Sequence, residues 1–312
     1  MIQDYHDISE YIASFLPLYT FLFFGTLCKT CYDVIKRPRV VSLMLRRNFP
    51  ETFVIEATRL GMEDLVFSPY ITECERYTQM RKYGQTTLTQ FSENGKFLGT
   101  KILCRLGIVY EINREHTYDA MKSAAVKGHD NIVRLLCDYM GVGKGITMSE
   151  EEQNQVISIL KAAAKCGRES IVRYLCESGV HELLTQEEMS FLFMCTADNG
   201  HEGVVRLFCY MGVHEFDRYF TSAALKYAAE NGYESIVRLF CNLGVHEYDL
   251  ERTSFALLAA VENAHENIVR FLCDLGAHEY DLELTSIAFS VALEDGNESI
   301  ANMMKAKHAW KK

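Results

Sequence analysis

The sequence predicts an all-α protein, a solenoid of short helix pairs preceded by a small helical module, and three observations carry that expectation. A glycine recurs at Gly61, Gly95, Gly128, Gly167, Gly200 and Gly232, gives way to Ala264 and returns as Gly296, in steps of 34, 33, 39, 33, 32, 32 and 32 residues. A fixed period near 33 marks stacked units that each pack chiefly on their neighbours. After the anchors runs one repeated phrase, "NIVRLLCDYMG", "SIVRYLCESG", "GVVRLFCYMG", "SIVRLFCNLG" and "NIVRFLCDLG". Ahead of them a small residue stands four places back, at Ala57, Ala124, Ala163, Ala228, Ala260 and Ala292, with Phe91 and Thr196 as exceptions.

Within a unit, the segment before the anchor is a helix whose small residue lets a neighbouring helix approach closely. The segment after it is a second helix, because apolar residues at anchor plus 4, 5, 8 and 9 form one face at a 3.6-residue period. Gly141, Gly179, Gly212, Gly244 and Gly276 then close that helix as left-handed caps. Each unit is therefore helix, turn, helix, loop. In the first unit Pro69 falls inside the expected second helix, so Ser68 is expected to cap a fresh helix with Pro69 at its first position. In the last unit Asn302 replaces the recurrent arginine and Lys305 replaces the recurrent cysteine, the pattern of a polar terminal cap. The expected domains are a helical module over 5–50, a degenerate first repeat and connecting helix over 51–94, and a solenoid over 86–312.

The repeat slots also account for most residues that would otherwise suggest chemistry. Of eleven cysteines, Cys104, Cys137, Cys176, Cys209, Cys241 and Cys273 each stand nine residues after an anchor, where a small hydrophobe belongs in the core. An odd count without a disulfide-scaffold spacing points to free thiols in a reducing compartment, hence a cytoplasmic location. Equivalent slots in stacked units lie about 8–10 Å apart, too far to share one metal ion. Arg134, Arg173, Arg206, Arg238 and Arg270 follow Asp130, Glu169, Glu202, Glu234 and Glu266 by four residues, a spacing that pairs them on a solvated helix face. With 42 acidic against 32 basic residues the chain carries a formal charge of minus ten, which repels phosphate backbones and argues against nucleic acid. There is no phosphate-binding glycine loop, no "HExxH" and no "GxSxG", so neither catalysis nor a cofactor is expected.

The turn glycine, the alanine slot and the period resemble the ankyrin repeat over about residues 86–305. "YGQTTLTQFSENG", residues 83–95, is similar to the family's helix opening, and "GHDNIVRLL" and "GHEGVVRLF" to its second helix. The family's "TPLH" is not kept and its Asp-Gly loop turn is missing, so the resemblance implies short or irregular β-fingers. It also implies that His129, His201 and His265, next to the turn anchors, hydrogen-bond to backbone, and that the stack binds proteins. The candidate binding residues open the inter-repeat loops: His214, Glu215 and Phe216; His246, Glu247 and Tyr248; His278, Glu279 and Tyr280. Loops on a rigid scaffold are where recognition concentrates, and aromatic residues anchor interfaces.

Residues 11–28, "YIASFLPLYTFLFFGTLC", hold no charge and raise the question of a membrane span. Eighteen residues with Pro17 inside, and Asp4, Asp7 and Glu10 in front, argue against a span and against a secretory signal. Residues 7–35 instead resemble the F-box, with Ile12, Phe15, Leu16, Pro17, Phe21, Phe24, Leu27 and Cys28 at matching places and Cys31 where that family has tryptophan. The resemblance implies docking on a Skp-type adaptor of a cullin ubiquitin ligase through Ile12, Phe15, Leu16, Pro17, Phe21, Leu22 and Leu27, while the solenoid holds the protein to be ubiquitinated. An F-box ahead of ankyrin repeats is similar to an arrangement in proteins of large DNA viruses, which implies the host-cell cytoplasm. The alternatives are a plain ankyrin scaffold or host-factor antagonist whose hydrophobic N-terminus caps its own solenoid, and a membrane-tethered scaffold.

Overall fold

The computed structural model describes residues 38–60, 62–69, 71–106, 114–143, 148–247 and 249–307. All of the expected adaptor-docking residues, Ile12 to Leu27, lie outside the described residues. The chain divides into two compact units, Met1–Thr147 and Met148–Lys312. The division falls inside the one long step of the repeat, the 39 residues between Gly128 and Gly167. Among the described residues all regular structure is helical.

The described part of the first unit comprises α1 (Pro38–Asn48), α2 (Phe53–Arg59), α3 (Glu63–Val66), α4 (Glu73–Glu93), α5 (Phe97–Arg105), α6 (Arg114–Lys127) and α7 (Asp130–Met140). Val41, Met44 and Leu45 of α1 are buried where it packs on α2 and α3, so residues 38–48 share the core of the first repeat. Two expectations are corrected here. Ser68 does not cap a new helix: its hydroxyl donates to the Leu65 carbonyl at 2.6 Å and so closes α3. The next helix starts four residues later than the Ser68–Pro69 reading placed it. Thr72 is its cap, accepting from Glu75 N at 3.3 Å while Glu75 accepts from Thr72 N at 2.8 Å, a reciprocal pair that satisfies two orphan donors. Consequently "YGQTTLTQFSENG" is not a helix opening but the second half of a 21-residue helix with its C-cap Asn94 and turn Gly95. Arg46 of α1 is ion-paired to Glu75, with its Nη2 2.9 Å from Oε2, which ties the start of α4 to α1.

The second unit repeats one pair five times: α8 (Glu150–Lys165) with α9 (Glu169–Glu177), α10 (Gln186–Asp198) with α11 (Glu202–Tyr210), α12 (Arg218–Glu230) with α13 (Glu234–Asn242), α14 (Leu250–Glu262) with α15 (Glu266–Asp274), and α16 (Leu282–Glu294) with α17 (Glu298–Lys307). First helices pack on first helices and second on second, α10 on α12 on α14 on α16 and α9 on α11 on α13 on α15 on α17. The core lies between the two rows. Ile171, Val172, Leu175 and Cys176 of α9 and their equivalents in α13 and α15 are buried on the predicted face, each large side chain contributing about 1.5–3 kcal/mol. Ala163, Ala228, Ala260 and Ala292 have no exposed surface. Thr196 takes the same slot and returns its hydroxyl to the Phe193 carbonyl at 2.7 Å, so a polar group is accommodated there.

The turns explain the glycines. Gly167, Gly200, Gly232 and Gly296 have φ of 67°, 72°, 79° and 73°, and Ala264 adopts 57° at the same slot. Three of these glycines carry a second constraint: a Cβ at Gly167, Gly200 or Gly232 would come within 2.5–2.6 Å of a ring from the following repeat, His201, Tyr233 or His265. Asn297 stands where the repeat after Ala264 would supply that ring. His201 Nε2 lies 2.7 Å from the Lys165 carbonyl and His265 Nε2 2.9 Å from the Glu230 carbonyl. In the first unit His129 reaches the Glu93 carbonyl at 3.0 Å. These are the backbone-binding histidines the sequence implied. Each satisfies an orphan carbonyl at the end of the preceding repeat's first helix.

No β-finger is present among the described residues. Left-handed Gly179, Gly212, Gly244 and Gly276 are followed instead by single 3-10 turns, η1 (Val180–Leu183), η2 (Val213–Glu215), η3 (Val245–Glu247) and η4 (Ala277–Glu279). An N-cap then starts the next helix: Thr185 with Glu188, or Asp217, Asp249 and Asp281. Seven residues between the helix ends, Met211 to Asp217 for example, are consumed by cap, turn and cap, which leaves no length for a hairpin.

Candidate protein-binding surfaces

The loop residues separate into a buried and an exposed set. His214 and His278 are buried and His246 nearly so, and the carbonyl of each accepts the hydroxyl of a threonine one turn into the next helix: Thr221 at 2.9 Å, Thr253 at 2.8 Å and Thr285 at 2.9 Å. The imidazoles thus belong to the loop's interior. Their neighbours Glu215, Glu247 and Glu279 project into solvent, Glu215 with 74% of its side chain exposed. Phe216 follows at 41% exposure. Tyr280 is half-buried beside Glu247 of the preceding loop, and burial first, then that carboxylate, pushes its hydroxyl pKa up. Tyr248 lies outside the described residues. A protein approaching this edge therefore meets a row of carboxylates with an aromatic ring, and not the histidines.

A second surface escaped the motif reading. Phe191 of α10, Tyr219 of α12 and Phe255 of α14 are exposed at 46%, 58% and 37%. Phe191 meets Phe220 edge-on at 6.0 Å, Phe220 meets Tyr219 at 5.5 Å, and the Arg252 guanidinium sits 4.1 Å from the Tyr219 ring centroid. The result is a run of three rings across two first helices, continued onto α14 by the stacked guanidinium, with Phe255 exposed on the same helix as Arg252. A signal was available: Phe191, Phe255 and Ile287 each stand nine residues before an anchor, a phase at which the 3.6-residue period faces away from the alanine slot. Exposed rings in a row, rimmed by polar groups, are what a protein-binding patch looks like.

The cysteine ladder does not contribute a site. Cys104, Cys137, Cys176, Cys241 and Cys273 are buried and Cys209 is half-buried. Burial pushes the thiol pKa of Cys104, Cys209 and Cys241 up to about 12 and that of Cys176 to about 11, where almost no reactive thiolate exists at neutral pH. The acid-base pairs form as spaced: Arg173, Arg206, Arg238 and Arg270 lie 2.7–2.8 Å from their glutamates and Arg134 lies 3.9 Å from Asp130. Among the described residues no group of His, Cys, Asp and Glu could hold a metal ion, and no helix is long and apolar enough to cross a membrane.

Helix pairs stacked at a 32–33-residue period, with a turn glycine covered by the next repeat's ring, define a helical-repeat solenoid. A family model described as "Ankyrin repeats (3 copies)" matches residues 193–285, from the middle of α10 to the start of α16. Over that stretch the chain is similar to ankyrin repeats, a scaffold for protein–protein interaction. No curated protein matches the chain.

Proposed function

We propose that the protein is a non-catalytic adaptor, in which the repeat stack holds a target protein and residues 7–35 dock a Skp-type subunit of a cullin ubiquitin ligase. The scaffold half of this reading rests on one observation, the exposed rings of Phe191, Tyr219 and Phe255, with Arg252 stacked on Tyr219. Among the described residues those rings keep 37–58% exposure. Aromatic and arginine side chains in such patches dominate interface energetics. The ligase half is supported by the sequence of residues 7–35, in which Ile12, Leu16, Pro17, Phe21 and Leu27 hold the F-box spacing. That segment leads into α1, which is packed on the first repeat.

Affinity purification of the full chain with mass spectrometry tests both halves. The adaptor reading expects Skp and cullin subunits in the eluate, and their loss on changing Leu16 and Pro17 together to alanine with the melting of the repeats unchanged. A double variant that melts many degrees lower, with no Skp subunit recovered by the wild type, would make residues 11–28 a cap on the solenoid. Recovery of the wild type in carbonate-resistant membranes would make them a tether.

A further inference from the structure

Between the first two loop turns of the second unit lies an open cleft of about 450 Å³, within the range of roughly 300–1,000 Å³ typical of ligand sites. Its walls are mainly apolar, Leu184, Met189, Met211, Val213 and Phe216, with His181, Glu182 and Gln186 completing the lining. Two of the five are methionines, whose unbranched thioethers adapt to differing shapes. Charge on the loop segments around the cleft is predominantly acidic. The loop segments 177–190 and 211–217 contain Glu177, Glu182, Glu187, Glu188, Glu215 and Asp217 and neither lysine nor arginine. Glu188 is held by Lys161 at 2.8 Å and Asp217 is used as a helix cap. Glu182, Glu187 and Glu215 are exposed, with no lysine or arginine of the described residues within ion-pair distance.

We infer that this cleft is a docking groove for an extended segment of a partner protein that inserts one bulky apolar side chain and carries lysine or arginine on either side of it. The inference rests on the scaffold half of the reading above and adds the partner's chemistry. An anionic partner would be repelled by the rim, and a neutral apolar one would leave Glu182 and Glu187 to be desolvated without a counter-charge, and Glu215 with only the His214 ring at 3.8 Å. The acidic row continues past the cleft, since Glu247 and Glu279 are exposed at the slot that Glu215 occupies. Neighbouring repeats stack about 8–10 Å apart, which is about three residues of extended chain at about 3.3 Å each. A segment lying along the loops therefore meets a carboxylate at every third residue, and its basic residues recur with that spacing after the apolar anchor.

The probe is a phage-displayed library of random peptides of about twelve residues, panned on the full chain, since extended segments of that length span grooves of this type. Expected are enriched peptides with Leu, Met or Phe followed by Lys or Arg at three-residue intervals. Their affinity should fall about tenfold for Phe216→Ser and by a similar factor for Glu215→Lys combined with Glu247→Lys, and should weaken further in about 0.5 M salt. Phe216, Glu215 and Glu247 are exposed, so the variants keep the wild-type melting curve. Acidic enriched peptides, peptides lacking an apolar anchor, or no enrichment at all would overturn the groove. Binding that ignores these variants but is lost on Phe191→Ser with Tyr219→Ser would overturn it too, while leaving the scaffold reading in place with its partner on the helix face.

Discussion

Replacing Gly232 by alanine separates two reasons for the turn glycine that the sequence alone cannot tell apart. Gly232 and Gly296 have nearly the same backbone, φ 79° and 73°. At Gly296 an added Cβ meets nothing within 4 Å, whereas at Gly232 it would lie 2.6 Å from His265 Cε1. Gly296→Ala therefore measures the left-handed backbone alone, about 1–2 kcal/mol. Gly232→Ala adds displacement of the imidazole and loss of its 2.9 Å contact with the Glu230 carbonyl, about 1 kcal/mol for the hydrogen bond and about 1 kcal/mol or more for the repacking. Urea unfolding followed by circular dichroism should place Gly232→Ala about 2 kcal/mol below Gly296→Ala. Combining Gly232→Ala with His265→Ala should remove most of that excess, because the ring is the obstacle. Equal costs for Gly232→Ala and Gly296→Ala, within about 0.5 kcal/mol, would refute the idea that the next repeat's ring selects glycine.

Other expectations are simpler to read. Ala264→Gly should leave stability unchanged or raise it by up to about 1 kcal/mol in the same urea assay, because alanine there holds φ 57°. Cys104, Cys137, Cys176, Cys241 and Cys273 should resist a thiol reagent at pH 8 in the folded protein and react together in denaturant, as mass-resolved labelling would show; prompt labelling of most of them would contradict the helix phase. Glu75 is held down to about 2 by its Arg46 hydrogen bond above all, so its contribution is fully present above its unfolded value near 4.5 and is lost as pH falls towards 2. Glu75→Gln should flatten the acid limb of the stability curve over that window. Asp281→Ala removes the acceptor of the Glu283 and Leu284 amides, 2.9 and 3.0 Å away, and should cost about 1 kcal/mol.

What could be read from the sequence was whatever the repeat writes more than once. The turn glycines from Gly95 onward, the alanine slot, five of the six repeat cysteines and the glutamate–arginine pairs each recur, and each sits where the period placed it; Gly61 lies outside the described residues and Cys209 is half-buried. The misreadings fall where the chain departs from its own pattern. Around Pro69 two capping signals compete, Ser68 before the proline and the Thr72-to-Glu75 box after it. The box wins because it satisfies two amides reciprocally, while Ser68 has its own closing bond to Leu65. Nor could periodicity decide which side of a three-residue turn is buried. His214 and Glu215 are adjacent, and the threonine hydroxyl that reaches the His214 carbonyl is seven residues ahead.

The same division explains why the fold is more legible than the partner. Stacking requires every unit to present the same inner face, so core slots are repeated and readable from one sequence. A bound protein touches several units at once and need not be periodic, so its contacts fall on slots that are free to differ. The slot nine residues before the anchor shows this: it holds Phe191, Ala223, Phe255 and Ile287 in successive units. Phe220, in the unit that has alanine there, lies 6.0 Å from Phe191 and 5.5 Å from Tyr219 and continues the strip from its own position. An aromatic surface assembled from different slots in neighbouring repeats is not required by the stack, which would be as well packed with polar residues at those places. Its rings are therefore the residues whose presence calls for something outside the chain.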